Sequence, residues 1–194
     1  MEIEKLKLSP HLASPSEAAL GHLSELNGSR LSPHFTLGEL CKTSVNSLDG
    51  NIPSPEDVEN LKRLCPWLEE LSARYNKLYV LVEGGRWRVE GDISKGGEKA
   101  EEPIIITSGY RSPEVNRCVG GAYSSNHLTG CAVDIRCVGV EQAIRYAAIL
   151  LDTADDWKQD YDELLIERNR KGHYWVHFAV RPKDNRRRTM FIGR

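Results

Sequence analysis

The sequence predicts a single α+β domain, and three observations carry that prediction. The 194 residues are 40% hydrophobic and 28% charged, the balance of a globular protein large enough to enclose a core. One long amphipathic run, with Val58, Leu61, Leu64, Leu68 and Leu71 at steps of three or four, reads as a helix. Several short β-branched or alternating runs, spread over the second half of the chain, read as strands.

Taken in order, residues 1 to about 30 mix Ser, Pro and Gly with one short helical pattern from Ser16 to Leu26 and are expected to form an appendage. The main domain is expected over 31–194. Phe35, Leu37 and Leu40 flank a short element, and Ser47 to Pro53 reads as loop. Ser54, Pro55, Glu56 and Asp57 then supply a cap, a first-turn proline and an acidic first turn for the long helix. Leu78 to Glu83 and Trp87 to Glu90, joined at Gly84 and Gly85, predict a hairpin. The polar, glycine-bearing stretch from Gly91 to Glu102 reads as a mobile loop. Strands are expected at Ile104 to Thr107, Cys131 to Cys137, Glu163 to Glu167 and Tyr174 to Val180, with a helix from Val140 to Leu151.

Composition narrows the function classes. The formal charge of -2 offers no global attraction to a polyanion, but Arg168 to Arg194 holds nine Arg or Lys against one acid, Asp184. That segment is either a solvated basic chain end or a surface for an anionic polymer. A nucleic-acid partner is not expected, because no stacking platform or helix-turn-helix pattern accompanies the charge. Five cysteines without CxxC spacing indicate neither a disulfide framework nor a zinc ribbon, and most should be buried thiols. No apolar run approaches a membrane span of about 18 residues, and the first residues lack a signal-peptide pattern. Synthesis in the cytoplasm is therefore expected, in monomeric form.

His127 and Asp134, seven positions apart, together with His177 in TyrTrpValHisPheAla, make two imidazoles and one carboxylate. Catalytic zinc takes three such ligands and keeps a further position for water. The spacing is not a helical i, i+4 pair, so these side chains can converge only through tertiary structure. A histidine in an apolar strand is commonly a hydrogen-bonded core residue, and His177 read alone could be one. Asp134 is harder to dismiss: a carboxylate between Val133 and Ile135 is costly to bury without a cation.

The motifs IleThrSerGlyTyrArgSer (106–112), ValAsnArgCysValGlyGly (115–121) and SerxHisxxGlyxAlaxAsp (125–134) resemble those of the zinc D-Ala-D-Ala carboxypeptidases. TyrAspGluLeuLeuIleGlu (161–167) and TrpValHis (175–177) continue the resemblance. Relatives of that group include phage endolysin peptidases and vancomycin-resistance dipeptidases. The resemblance implies a Hedgehog/DD-peptidase fold, a small antiparallel sheet flanked by helices. It also implies one zinc ion per chain on His127, Asp134 and His177, and peptidoglycan peptides as substrates. Arg111 matches the arginine beside the metal, which would donate to the oxyanion; otherwise it is a surface ion-pair residue. Ser125 matches a position that contacts substrate or supports the metal shell, although a turn-capping serine would look the same.

One departure concerns the general base. Many members carry an acid three residues before the last histidine, where this chain has Tyr174, preceded by His173. Glu167 matches the glutamate that endolysin-type relatives carry after AspGlnLeuIle and is the expected base. Otherwise Glu167 is a rim carboxylate, His173 substitutes for it, or turnover is impaired. Glu163 stands where the family usually has Gln. The stretch from Val80 to Pro103 also looks longer than in compact relatives and could wall the cleft. The expected function is a zinc peptidase cutting next to a D-amino acid, as a carboxypeptidase or an endopeptidase acting at the cell wall. The alternative is a cell-wall-binding module that keeps the fold without turnover.

Overall fold

The computed structural model describes residues 28–77, 80–83, 86–89 and 102–193. The short helical pattern at Ser16 to Leu26 and most of the loop expected between Gly91 and Glu102 lie outside the described residues. Helix α1 (Leu37–Leu40) is a single turn closed by a capping box, in which Thr36 and Glu39 satisfy each other's backbone N–H groups. Helix α2 (Pro55–Lys77) begins with the same device: Asp57 N–H donates to Ser54 Oγ at 3.2 Å, and Ser54 N–H to Asp57 Oδ2 at 2.9 Å. Its stripe of Leu61, Leu64, Leu68 and Leu71 is fully buried, as the periodicity predicts.

Strands β1 (Val80–Glu83) and β2 (Arg86–Val89) form the expected antiparallel hairpin. The main sheet comprises β3 (Ile106–Ser108), β4 (Ala132–Cys137), β5 (Glu163–Arg168), β6 (Tyr174–Ala179) and β7 (Arg188–Gly193), in the order β3-β4-β6-β5-β7. The first four neighbours pair antiparallel, as expected of a small antiparallel sheet. Strand β7 corrects that expectation, because it adds to the edge in parallel with β5. Its sequence, ArgThrMetPheIleGly, lacks a clear alternation and opens with charge, so the pattern alone does not announce it. The basic terminus is thus not a free chain end.

Helix α3 (Pro113–Cys118) starts at Ser112, whose Oγ accepts from Val115 N–H. Helix α4 (Val140–Trp157) runs six residues beyond the expected Leu151, since Thr153, Ala154 and Trp157 continue its inward stripe and Trp157 meets Trp67 edge-on at 5.1 Å. Helices α2 and α4 cover one face of the sheet, where Val133, Ile135, Leu164, Val176 and Phe178 join Trp67, Tyr146 and Leu150 in one core. Side chains alternate along a strand. Asp134 and His177, which pair in register on β4 and β6, therefore stand on the opposite face. No helix among the described residues is long and apolar enough to cross a membrane. All five cysteines are free thiols; Cys65, Cys131 and Cys137 are buried and Cys118 is exposed.

Candidate metal centre and active site

His127 lies in a 3-10 turn, Asn126–Thr129, that packs against the start of β4. Ser125 caps this turn, its Oγ accepting from His127 N–H at 3.3 Å. Gly130 ends it in the left-handed region at φ 66°, where a Cβ would lie 2.4 Å from the Asp57 carbonyl, so glycine alone lets the chain turn into β4 against α2. The sharp return carries the chain from His127 to Asp134 over seven residues and lets both face one point. His177 reaches the same point from β6, directly opposite Asp134.

The potential ligand atoms of His127, Asp134 and His177 lie within 4.8 Å of one another, and all three residues are buried. His127 Nε2 is 3.2 Å from both Asp134 Oδ1 and His177 Nδ1, and His177 Nδ1 is 2.9 Å from Asp134 Oδ1. The other nitrogen of His127, Nδ1, lies 2.6 Å from the Gly109 carbonyl. A carbonyl only accepts, so Nδ1 carries the proton and Nε2 presents its lone pair to the cluster. Gly109 can approach this closely because its own backbone rests on Leu40, where a Cβ would come within 2.1 Å of the carbonyl oxygen.

The outer ring of contacts fixes the other two ligands. Arg111 donates through Nη2 to Asp134 Oδ2 and through Nε to Ser108 Oγ at 2.7 Å. Asp134 thus keeps Oδ1 for the histidines while Oδ2 is held by a guanidinium. Glu163 Oε2 sits 3.5 Å from His177 Nε2, behind the ring. A carboxylate on the far nitrogen is the usual orienting partner of a metal-binding imidazole.

Glu163 in turn belongs to a network that spans the lower wall of the cleft. Asn126 Nδ2 donates to Asp162 Oδ2 at 2.7 Å and to Glu163 Oε2 at 3.0 Å, while Asn126 Oδ1 accepts from Arg181 Nε at 2.8 Å. Arg186 clamps the buried Asp162 through Nε at 2.8 Å and Nη2 at 2.6 Å, and reaches Glu163 at 3.0 Å. Arg188 adds a 3.3 Å contact to Glu163. Arg187 pairs instead with Asp155 and Asp160 at the surface. The basic terminal segment therefore places part of its charge against acids of its own chain, through Arg181, Arg186, Arg187 and Arg188.

The charges shift one another accordingly. Burial alone would push His177 down, yet Asp134 and Glu163 on its two nitrogens raise it to about 9. Burial dominates at His127 and lowers it. Burial opposes ionisation of Asp134, but the two imidazoles hold its carboxyl well below the usual range. Hydrogen bonding to His177 lowers Glu163. A pocket with this much fixed negative charge around two imidazoles favours a cation, and an His–Asp–His donor set with one preset tautomer fits zinc.

Above the cluster opens a cleft of about 500 Å³ whose lining includes Arg111, Ser125, Glu163, Glu167 and Trp175 together with the three ligands. Glu167 is buried on β5 opposite Trp175, on the strand face that His177 shares. Tyr174 is on the other face of β6, packed against the core and 6.4 Å from Phe191 between ring centres. The register of β4 with β6 is unbroken from Cys137–Tyr174 to Ala132–Ala179, so an acid at position 174 would point away from the cluster. His173 is exposed and lines the groove that extends from the cleft past Trp175, away from the ligand cluster. The cleft thus brings together Arg111, Ser125, His127, Asp134, Glu167 and His177 of the residues that the sequence singled out, but not His173. Sequence reasoning missed Asn126, Asp162 and Glu163 as a connected support. Their one signal was two adjacent acids opening an apolar strand.

Comparison with curated proteins gives no match. The model of the family described as Peptidase M15 matches residues 91–158, a segment that holds Arg111, Ser125, His127 and Asp134 and ends before Glu167 and His177. The mixed sheet and helices are compatible with that family's fold, and the three convergent donors are of the kind that its zinc dependence requires. Residues 91–158 are thus similar to peptidase family M15, which supports the resemblance of the motifs to zinc peptidases of that kind.

Proposed function

We propose that this protein is a zinc-dependent hydrolase of peptidoglycan peptides, cutting an amide bond next to a D-amino acid at the bacterial cell wall. The observation that carries the reading is the meeting of His127 Nε2, Asp134 Oδ1 and His177 Nδ1 at the floor of an open cleft. Zinc held by these three atoms would polarise the scissile carbonyl and acidify a water. Everything else falls to the protein's own groups. Glu167, on the cleft face of β5, accepts the proton of the attacking water at its carboxylate and passes it to the departing amine. Arg111 holds Asp134 and donates to the carbonyl oxygen as negative charge grows there. Ser125 and Gly109 hold His127, and Glu163 holds His177, so that little reorganisation accompanies reaction.

The alternative of a module without turnover drew its support from Tyr174 in place of an acid. The packing of Tyr174 on the core side of β6, with Glu167 on the cleft face of the same sheet, favours the reading with turnover. The test is digestion of purified peptidoglycan by the zinc-loaded protein, read by mass spectrometry of the muropeptides. New amine termini are expected. Glu167→Gln should lower kcat by roughly 10²- to 10⁴-fold while zinc content stays stoichiometric. Unchanged muropeptides with fully loaded protein would overturn the proposal.

A further inference from the structure

The cleft over the metal cluster does not end at Arg111 and Trp175. Beyond them it continues into a groove of about 560 Å³, which shares Arg111, Val119, Asp134 and Trp175 with the cleft. Two cations line this extension, Lys42 from the turn after α1 and Arg136 from β4. Neither forms an ion pair among the described residues. The acid of the groove, Asp134, is already matched by Arg111. Among the described residues the groove therefore carries an excess of positive charge, in contrast to the cleft wall where Arg186 and Arg188 meet Asp162 and Glu163.

Its placement relates that charge to the scissile position. Arg136 pairs with Trp175 as Asp134 pairs with His177, so it stands on the ligand face two residues along β4. That separation is about 7 Å, or one to two peptide units of an extended ligand. Beside the cations the groove offers Val115, Val119 and Val138; Val119 and Val138 are exposed large apolar side chains. A charged end next to a small apolar wall suits a ligand with an anionic group adjacent to a short aliphatic side chain.

We propose that Lys42 and Arg136 form a carboxylate-binding subsite that receives the part of the peptide on one side of the scissile bond, either its free chain end or an acidic side group. The proposal rests on the peptidase reading for the identity of the ligand, but the anion selectivity is a property of the groove alone. A guanidinium and an ammonium facing one carboxylate give charge-assisted hydrogen bonds that an amide in the same place cannot replace.

The test is equilibrium binding to the full-length, zinc-loaded protein, followed by NMR titration at fixed ionic strength. Three probes are used. N-acetyl-D-alanine carries a terminal carboxylate, N-acetyl-D-glutamic acid α-amide only a side-chain carboxylate, and N-acetyl-D-alanine amide neither. At least one carboxylate probe should bind about tenfold more tightly than the amide, as one charge-assisted contact allows. The probe that wins identifies the source of the carboxylate. Both positions are exposed, so Lys42→Gln, Arg136→Gln and the double variant should fold and keep their zinc. Each single variant should weaken the preferred probe several-fold without changing the amide, and the double variant should abolish the preference. Equal binding of all three probes by the unaltered protein would overturn the subsite. So would a carboxylate preference that survives the double variant, since the metal itself would then be the anion site. Because the readout is binding and not turnover, a protein that binds the probes as expected but leaves peptidoglycan intact would refute the peptidase reading and not this one.

Discussion

On one face of the β4–β6 ladder stand Val133, Ile135, Val176 and Phe178, and on the other Asp134, Arg136, Trp175 and His177. The first set lies at or near zero exposure against α2 and α4, and any well-packed apolar group of similar volume would serve there. In the second set, Asp134 and His177 tolerate no such exchange. Asp134 is buried too, but its position is justified only by Arg111 and the two imidazoles around it. Burial on the helix side is nondirectional and redundant. Burial on the cleft side is directional, each polar atom depending on a named partner. The period of two in a strand lets one pair of strands do both.

The sharpest way to separate the two faces is to remove Asp134. Asp134→Ala should abolish zinc retention and turnover together, as read by metal analysis and muropeptide digestion, and a variant that kept both would sink the metal assignment. Next in size is the helix side. Phe178→Ala removes a fully buried ring between Trp67 and Tyr161 and should cost about 3–5 kcal/mol of stability. Denaturant unfolding measures that loss, and the folded fraction should still bind zinc.

A smaller effect should expose the support beneath the cleft. Burial would raise the Asp162 carboxyl, but hydrogen bonds from Arg186 and Asn126 and the nearby Arg181 hold it below its ordinary value. A carboxyl depressed in the folded state contributes stability that is fully present above its unfolded pKa of about 3.9. That contribution is lost as pH falls through the lower folded value. Acid unfolding should therefore begin below about pH 4, and Asp162→Asn should flatten that limb of the stability–pH curve. An unchanged acid limb would show that the clamp contributes little. Smallest of all is the change at the core-facing tyrosine. Tyr174→Phe should alter kcat by less than about twofold, because the ring packs on the core side of β6, away from the ligand cluster. For the same reason Tyr174→Glu should not restore activity to Glu167→Gln, and a restoration would mean that β6 slips its register.

Much of this was legible before any coordinates. The leucine stripe of α2 and the caps at Ser54 and Ser112 depend on neighbours within a turn, which is why periodicity and local residue chemistry reveal them. The ligand triplet was legible through motif resemblance together with the cost of leaving Asp134 buried without a cation. Strand β7 was not, since a parallel edge strand draws its hydrogen bonds from a partner 25 residues away and needs little apolar pattern of its own. Nor was the role of Glu163, which the sequence shows only as a substitution for Gln.

The sequence by itself determined which groups exist: two imidazoles, a costly carboxylate, a glycine that can turn left-handed after the first ligand, and a glutamate at the end of a strand. Only the tertiary structure decided which of them meet. Which face a strand side chain takes depends on register, and register is set by pairing between segments far apart in the chain. That is why Glu167 and Tyr174, equally plausible as letters, end on opposite sides of one sheet. It is also why the arginines of the last segment close on Asp162 and Glu163 while Lys42 and Arg136 remain turned to the groove.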